Sequence, residues 1–116
     1  MNSKDFMLAL KAAVIDENID IYKDLFNGAH SEYLADEYWR RALGFYNSLN
    51  REQQNIFFEV IRQVMIDTTS NILGVLDGTC TIKGMRDDFI LIYGKNSDPL
   101  TGDLQSLFLE CEENRS

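Results

Sequence analysis

The first part of the chain alternates between apolar and polar positions with the period of an α-helix. From Lys4 to about Phe26, apolar residues recur at steps of three and four along the sequence. The resulting stripe consists of Leu8, Ala12, Ile15, Ile19, Tyr22 and Phe26. Ser3 is a suitable N-cap, and Gly28 suits the helix end. This pattern predicts one long helix with a bend near Asp16–Asn18.

A second helix is expected to begin at Ser31, which can act as its N-cap, and to end near Leu49. Its predicted buried face is rich in aromatic residues. The stripe consists of Leu34, Tyr38, Ala42, Phe45 and Leu49, flanked by Trp39, Leu43 and Tyr46. Because a buried ring removes a large apolar area from water, we expect replacement of Trp39 or Phe45 by Ala to cost about 3 to 5 kcal/mol.

The clearest boundary in the chain lies at Asn50. This residue can cap a third helix while Gln53 reaches back toward it, as in a capping box. The helix is expected to end at Asp77–Gly78, because glycine adopts a left-handed terminating conformation at little cost. Its predicted buried stripe consists of Phe57, Ile61, Val64, Thr68 and Ile72.

The period changes after this third helix. Thr79–Ile82 and Phe89–Tyr93 are short runs of β-branched and aromatic residues bounded by turn-forming residues. Leu100–Thr101 is expected to add a few paired residues after a further turn. These runs predict a small antiparallel sheet within residues 79–101.

A short last helix is expected from Leu104 to about Cys111, within residues 103–112. The chain of 116 residues has the length of one domain. We therefore predict a single α+β domain over residues 1–116 that is mainly helical. Three long antiparallel helices form a bundle over residues 3–78 and are followed by the small antiparallel sheet and the short C-terminal helix.

Charge narrows the choice of partner. The chain carries 11 Lys and Arg residues against 19 Asp and Glu residues, which gives a formal net charge of -8. Such a charge repels phosphate backbones and anionic membrane surfaces, so neither nucleic acid nor a membrane is expected as a direct partner. No apolar run approaches the roughly 18 to 20 residues that span a bilayer. The N-terminal residues resemble neither a signal nor a transit peptide, so a cytoplasmic location is expected.

The residues that carry most catalytic chemistry are scarce. His30 is the only histidine and lies in a predicted loop with no nucleophile placed to use it. Cys80 and Cys111 are 31 positions apart and lie beside apolar neighbours, so we expect two buried free thiols rather than zinc ligands. The seven glycines form no phosphate-binding motif. The sequence therefore predicts a protein that is not an enzyme and has no cofactor, metal site or catalytic residue.

Asp and Glu residues are abundant, so abundance alone does not mark any single carboxylate as a catalytic or metal-binding residue. Asp77, Asp87 and Asp88 lack the alternating oxygen ligands and closing Glu of an EF-hand. Glu59 lies between apolar residues. The simplest explanation for a charged residue at this position is an ion pair with Arg62, three positions later on the same helix.

The acidity itself supports two interpretations. It can serve solubility alone, or its negative potential can steer a basic partner toward the protein. The second interpretation predicts contact sites in exposed acidic turns, namely Asp87, Asp88 and Asp98, together with Asp103 at the start of the last helix. A nuclease is the expected kind of partner, since its own basic cleft binds nucleic acid.

A resemblance points the same way. About 45 C-terminal residues, with Ser70–Gly78, Phe89–Leu91 and Gly102–Glu110, are similar to a pattern in small uncharacterised bacterial proteins. In size and acidity the chain resembles the immunity proteins that protect bacteria from polymorphic and contact-dependent toxins. The resemblance implies a non-enzymatic immunity or antitoxin-like protein that binds and neutralises a cognate toxin.

Two alternatives remain open at this stage. One is a small metabolite-binding domain or enzyme with a pocket between the sheet and the helices, with Glu59 or His30 inside. The other is a homodimeric adaptor protein that associates through an apolar face such as the one around Trp39. The sequence alone does not fix the oligomeric state.

Overall fold

The computed structural model describes residues 1–28, 35–95 and 98–113, and these residues form helices joined by irregular segments. The helical elements are α1 (Ser3–Lys11), a π-helical segment (Ala12–Asp16), α2 (Glu17–Asn27), α3 (Glu37–Asn47), α4 (Arg51–Asp77) and α5 (Leu104–Glu113). The first three follow one another without a break and form the long N-terminal helix that the sequence predicts. The π-helical segment ends at Asp16, the first residue of the predicted bend.

Both predicted boundaries of α4 are confirmed. The Asn50 side chain accepts a hydrogen bond from the Gln53 N–H at 2.8 Å, and the Gln53 side chain accepts one from the Asn50 N–H at 3.0 Å. This reciprocal pair is a capping box. At the other end Gly78 has φ 82 and ψ 8, in the left-handed region that terminates a helix.

The other helix starts differ from the predicted ones. Asn2 caps α1, because its Oδ1 accepts from the Asp5 N–H at 2.8 Å, whereas the Ser3 hydroxyl donates to the Leu100 carbonyl at 2.9 Å. The predicted cap of the second helix, Ser31, lies outside the described residues, as does Leu34. The described part of that helix begins after Asp36, whose side chain accepts a hydrogen bond from the Trp39 N–H.

The predicted α+β fold class with a small antiparallel sheet is wrong, because the described residues form only helices and irregular segments. The described residues between α4 and α5 contain no strand. One backbone hydrogen bond, from the Leu100 N–H to the Leu91 carbonyl at 2.7 Å, joins two of the predicted strands. A turn closes at Met85, whose N–H donates to the Ile82 carbonyl. Runs of β-branched residues form a strand only where a neighbouring strand supplies backbone hydrogen bonds. Here the run packs against α1 and α5 instead.

Two apolar clusters form the core. The first lies between α1, α4 and α5 and consists of Met7, Ile15, Ile66, Leu73, Leu104 and Phe108. The second lies between α2, α3 and the N-terminal half of α4 and consists of Ile19, Phe26, Leu43, Tyr46 and Phe58. The long N-terminal helix contributes to both clusters. It therefore connects two halves that would otherwise meet only along α4.

Several side chains of the predicted stripes are exposed. On α3, Tyr38 and Phe45 face solvent while Leu43 and Tyr46 are buried. Similarly, α4 exposes Val64 and Ile72 and buries a different face, which consists of Phe58, Ile66, Ser70, Leu73 and Gly74. The apolar period identifies a helix, but a helix with apolar residues on several sides leaves the choice of buried face to its neighbours.

Candidate functional site

The irregular segment of residues 79–103 begins and ends at the same place in the fold, because Asp77 holds the start of α5. One carboxylate oxygen of Asp77 accepts a hydrogen bond from the Gly102 N–H at 2.7 Å, and the other accepts from the Gln105 N–H at 2.7 Å. A carboxylate at this position satisfies unpaired N–H groups and stabilises the positive end of the helix dipole. The end of α4 thereby fixes the beginning of α5.

The Gln105 side chain fastens the same junction from the other side. Its amide nitrogen donates to the Ser70 carbonyl at 3.0 Å and contacts the Ser70 hydroxyl at 3.2 Å. Its amide oxygen accepts from the Thr79 hydroxyl at 3.0 Å. Both ends of the segment 79–103 are thus attached to the last turns of α4, which gives an irregular stretch a fixed position without a sheet.

The approach of these elements depends on the absence of a side chain at Gly74. A Cβ on this residue would lie 2.7 Å from the Cys80 sulfur and 2.9 Å from the Gln105 amide nitrogen. Gln105 is held by its hydrogen bonds to Ser70, so it can move away only by breaking them.

We expect Gly74→Ala to lower the free energy of unfolding by about 1 to 2 kcal/mol, because overpacking outweighs the better helix propensity of alanine. Gly44→Ala is the matched control, since a Cβ on Gly44 in α3 would meet nothing within 4 Å. This control should raise stability by roughly 0.5 to 1 kcal/mol. Thermal unfolding of both variants measures the two shifts, and shifts of the same sign would contradict the prediction.

All four predicted contact residues, Asp87, Asp88, Asp98 and Asp103, are exposed. Their predicted support, a rigid sheet, is not found among the described residues of this segment. Asp88 lies at the end of α4, where its Oδ1 is 3.7 Å from the position a Cβ would take on Gly78. Asp103 immediately precedes α5, and its carbonyl accepts from the Leu107 N–H at 2.9 Å.

Asp98 lies elsewhere, beside the start of α1. It lines a cavity of about 320 Å³ together with Met1, Asn2, Ser3, Pro99 and Leu100. The structure therefore places Asp88 and Asp103 near the junction of α4 and α5 and Asp98 near the N-terminus. These three carboxylates belong to one segment but lie near different helix ends.

Large apolar side chains accompany these carboxylates on the same segment. The exposed ones are Ile82, Phe89, Ile90, Ile92 and Tyr93. Ile90 reaches 70% exposure, whereas Leu91 beside it is half-buried and packs against the first core cluster. This run is anchored at one residue, while the neighbouring apolar side chains are exposed to solvent. An isolated protein has no structural need for such exposure.

The inner side of this run borders an apolar groove of about 370 Å³. The wall on α1 and the π-helical segment consists of Phe6, Ala9, Leu10 and Ala13, and the opposite wall consists of Leu91, Ile92, Tyr93 and Leu100. Met1 lines one end. The groove takes the place of the predicted pocket between a sheet and the helices, but Glu59 is not part of it, and His30 lies outside the described residues.

A chain of charged groups crosses the molecule near the π-helical segment. The Arg62 Nη2 lies 3.1 Å from the Asp16 Oδ1 and 3.0 Å from the Glu112 Oε1, and the Lys11 Nζ lies 3.0 Å from the Asp16 Oδ2. We call these four residues the charged cluster. It joins α1, α4 and α5, and its Arg62 and Glu112 side chains are each only 14% exposed. Arg62 therefore does not form the predicted pair with Glu59.

The charged cluster lowers the pKa of Asp16 below its ordinary value of 3.8. Burial raises this pKa, but the hydrogen bonds from Lys11 and Arg62 and their positive charges outweigh burial. A lowered pKa stabilises the folded state above the unfolded-state pKa, and this contribution is lost as the pH falls through the folded-state value.

We therefore expect wild type to be more stable than Asp16→Asn near neutral pH, and we expect this difference to shrink as the pH falls below 3.8. Urea unfolding of both proteins at several pH values measures the difference. Asp20→Asn on α2 is the control, since Asp20 is exposed. A difference that stays constant into the acid range would contradict this linkage.

Two partly open cavities flank Glu59 and Arg62. One has a volume of about 400 Å³ and is also lined by Ile19, Lys23, Asn55 and Phe58. The other has about 480 Å³ and is also lined by Gln63, Ile66, Glu112 and Glu113. Arg62 lines both cavities, and its guanidinium already binds two carboxylates. This arrangement links three helices and accounts for the burial of Arg62.

Other candidate chemistry is sparse in the described residues. No group of three or more His, Cys, Asp or Glu side chains lies close enough there to hold a metal ion. Cys80 and Cys111 are free thiols that are half-buried rather than fully buried. His30 lies outside the described residues. None of the helices described is both long enough and apolar enough to cross a membrane.

Comparison of the chain with protein-family models, curated proteins and solved structures found no match.

Proposed function

We propose that this protein binds and neutralises a basic toxin, for which a nuclease is the expected case, in the manner of a bacterial immunity protein. The observation that carries the proposal is the exposure of Phe89, Ile90 and Tyr93 beside Asp87 and Asp88 on a segment with two fixed ends. Aromatic and aliphatic anchors surrounded by polar groups are typical of protein–protein interfaces. The proposed contact surface therefore consists of these five residues, with Asp98 and Asp103 at its margins.

The position of Asp88 supports a role outside folding. The C-terminal end of a helix carries a partial negative charge, so the Asp88 carboxylate beside Gly78, at the C-terminal end of α4, is unfavourable for stability. A cation at this position would stabilise α4. An exposed residue that opposes the helix dipole suits the recognition of a positively charged partner. Binding of that partner would relieve the repulsion between the carboxylate and the negative end of the helix.

The charge of the whole molecule fits the same partner. A net charge of -8 accelerates association with a cationic surface and repels nucleic acid, the substrate that a nuclease cleft is built to bind. Carboxylates that enter such a cleft compete directly with phosphate groups. Apolar anchors beside them add affinity that salt does not screen.

Affinity capture from the native host tests this proposal. The wild-type chain should retain a stoichiometric basic protein at low salt and release it in a salt wash. Asp87→Asn with Asp88→Asn should weaken retention at least tenfold, while Asp20→Asn with Asp24→Asn on α2 removes the same charge from exposed positions and should not. Equal retention by the two double variants, or no basic partner at all, would contradict the proposal.

A second candidate function is the binding of a small apolar molecule in the groove between α1 and the Leu91–Tyr93 run. The groove volume of about 370 Å³ and its apolar walls favour it. A ligand at 100 times its dissociation constant stabilises a protein by about 2.7 kcal/mol, so a melting screen with apolar metabolites would detect it. Ala13→Phe should fill the groove and abolish any shift.

A further inference from the structure

The backbone of the run from Phe89 to Tyr93 makes almost no hydrogen bonds. In the described part of the chain, the Leu91 carbonyl accepts from the Leu100 N–H at 2.7 Å, and no other main-chain group of this run has a partner. No turn or bend interrupts the chain from Asp88 to Tyr93. A row of unpaired N–H and C=O groups on an extended chain is a template for pairing with another chain.

The unpaired groups of Ile90 and Ile92 lie on the outer edge of this run. In an extended chain, the N–H and C=O of one residue point to one side and those of the next residue point to the other. Since the Leu91 carbonyl points toward Leu100, Ile90 and Ile92 direct their main-chain groups away from Leu100. Both residues are exposed. We call the main-chain groups of Ile90 and Ile92 the free edge.

The side chains and the position of this run already suit a strand. Phe89–Tyr93 consists of aromatic and aliphatic residues, including two β-branched ones, and such residues are enriched in sheets. Asp77 and Gln105 hold both ends of the segment that contains the run, and Leu91 packs against the first core cluster. The run is therefore held in place before a partner arrives, so less conformational entropy is lost when a strand is added.

Charge determines which kind of strand fits the free edge. Asp88 is the only charged residue between the bend at Asp87 and the turn at Gly94, and it is exposed. Arg86 lies before this bend and Lys95 lies within this turn, so neither belongs to the run itself. Opposite charges on neighbouring strands attract, so Asp88 favours a strand that carries lysine or arginine. A second copy of the chain would instead bring a net charge of -8 to a molecule of the same sign.

We propose that the toxin adds an extended strand to the free edge, with a basic residue beside Asp88; this inference rests on the proposed function. The N–H and C=O groups of Ile90 and Ile92 then bond to the backbone of the added strand. Main-chain hydrogen bonds give affinity in this mode of recognition, and neighbouring side chains give specificity. The added strand supplies the hydrogen-bonded neighbour that the run lacks in the described part of the chain.

Amide exchange in the full chain tests this proposal without the toxin. The probe is an end-blocked peptide of about eight residues, an ordinary strand length, in which lysine and valine alternate. At about 1 mM, a concentration suited to weak binding, this peptide should slow amide–water exchange at Ile90 and Ile92 about threefold or more, as measured by NMR. The amides of Leu91 and Tyr93, which point to the other side, should exchange as before.

The control is the same peptide methylated on every backbone nitrogen, which keeps the charges and side chains but cannot donate. It should leave the exchange rates unchanged. Unchanged exchange at Ile90 and Ile92 with the first peptide, or equal slowing by the methylated one, would overturn the proposal. Slow exchange at these two amides in the free chain that becomes fast on dilution would also overturn it, since a second copy would then occupy the free edge.

Substitution of Ile92 separates the backbone from the side chain. Ile92→Pro removes the isoleucine side chain and the N–H, whereas Ile92→Ala removes the same side chain and keeps the N–H. Neither variant breaks a hydrogen bond of the described residues, so both should keep the helical circular dichroism of wild type. In the affinity capture, Ile92→Pro should retain the basic partner at least tenfold more weakly than Ile92→Ala. If Ile92→Pro lost the helical signal, Ile90→Pro and Ile90→Ala would replace the pair.

Strand addition and toxin binding fail separately in these experiments. If a basic partner were captured and both Ile92 variants retained it equally, toxin binding would stand and strand addition would be overturned. If no basic partner were captured but the unmethylated peptide slowed exchange at Ile90 and Ile92, the free edge would pair with extended chains and the toxin proposal would be overturned.

Discussion

Phe26→Ala should lower the free energy of unfolding by about 3 to 5 kcal/mol, the range for large-to-small substitution of a buried aromatic residue. Phe26 is 7% exposed, and its ring centre lies 5.2 to 6.1 Å from four other rings. These rings belong to Trp39, Tyr46, Phe57 and Phe58. Because rings are stiff, they cannot collapse into the space that Phe26 would leave, so most of the cavity would remain.

Phe45→Ala is the control for this prediction. The sequence assigns Phe45 to the buried face, but the structure shows 57% exposure and a ring contact to Phe57 at 6.1 Å. Its replacement should cost less than about 1 kcal/mol, rather than the 3 to 5 expected from periodicity. Urea unfolding at dilute protein concentration measures both variants. Equal losses would show that the second core cluster is arranged differently.

Arg62→Met should be the second most destabilising change, with a loss of about 2 to 4 kcal/mol. Methionine fills a similar volume but leaves Glu112, which is 14% exposed, without this cation. Removal of one partner from a largely buried pair costs more than the pair itself contributes, because the remaining charge stays desolvated. Asp16 is 44% exposed and keeps Lys11, so its share of the loss should be small.

Lys11→Met provides the comparison. It removes one cation that contacts only the more exposed carboxylate of the charged cluster, so we expect a loss of less than about 1 kcal/mol. Chemical unfolding of both variants measures the two losses. If the two variants were equally stable, the charged cluster would not be what joins α1, α4 and α5.

The helices could be predicted where local chemistry determines them. The side chains of Asn50 and Gln53 reach only across one helical turn, and Gly78 ends α4 through its own backbone conformation. Such signals depend on neighbouring residues and are visible in the sequence. Which face of α4 is buried depends on distant helices, and for this reason Val64 and Ile72 were assigned to the wrong side.

The sheet could not be predicted correctly, because strand propensity reports the environment that a residue suits rather than the presence of a partner strand. Phe89–Tyr93 has the composition of a strand, but it is held by Leu91 against the helical core and by one backbone hydrogen bond from Leu100. The packing of this run onto α1 and α5 outweighed its strand propensity. Exposed aromatic residues on such a run are instead a signal for binding.

The exposure of the four candidate carboxylates could be predicted from the sequence. The sequence identified four carboxylates that the structure shows to be exposed, while their role in binding stays a prediction. It missed the supports, since Asp77 and Gln105 are 28 positions apart and their contact follows only from the packing of α5 on α4. An acidic residue directly before a helix-terminating glycine was the one available sign that Asp77 had a partner outside its own helix.

Growth of a bacterial host that expresses the captured partner tests the central claim most directly. The partner alone should arrest growth, and co-expression of the wild-type chain or of the Asp20→Asn, Asp24→Asn variant should restore it. The Asp87→Asn, Asp88→Asn variant should fail to protect. Full protection by that variant, or normal growth with the partner alone, would show that neutralisation of a toxin by the segment between α4 and α5 is not what this protein does.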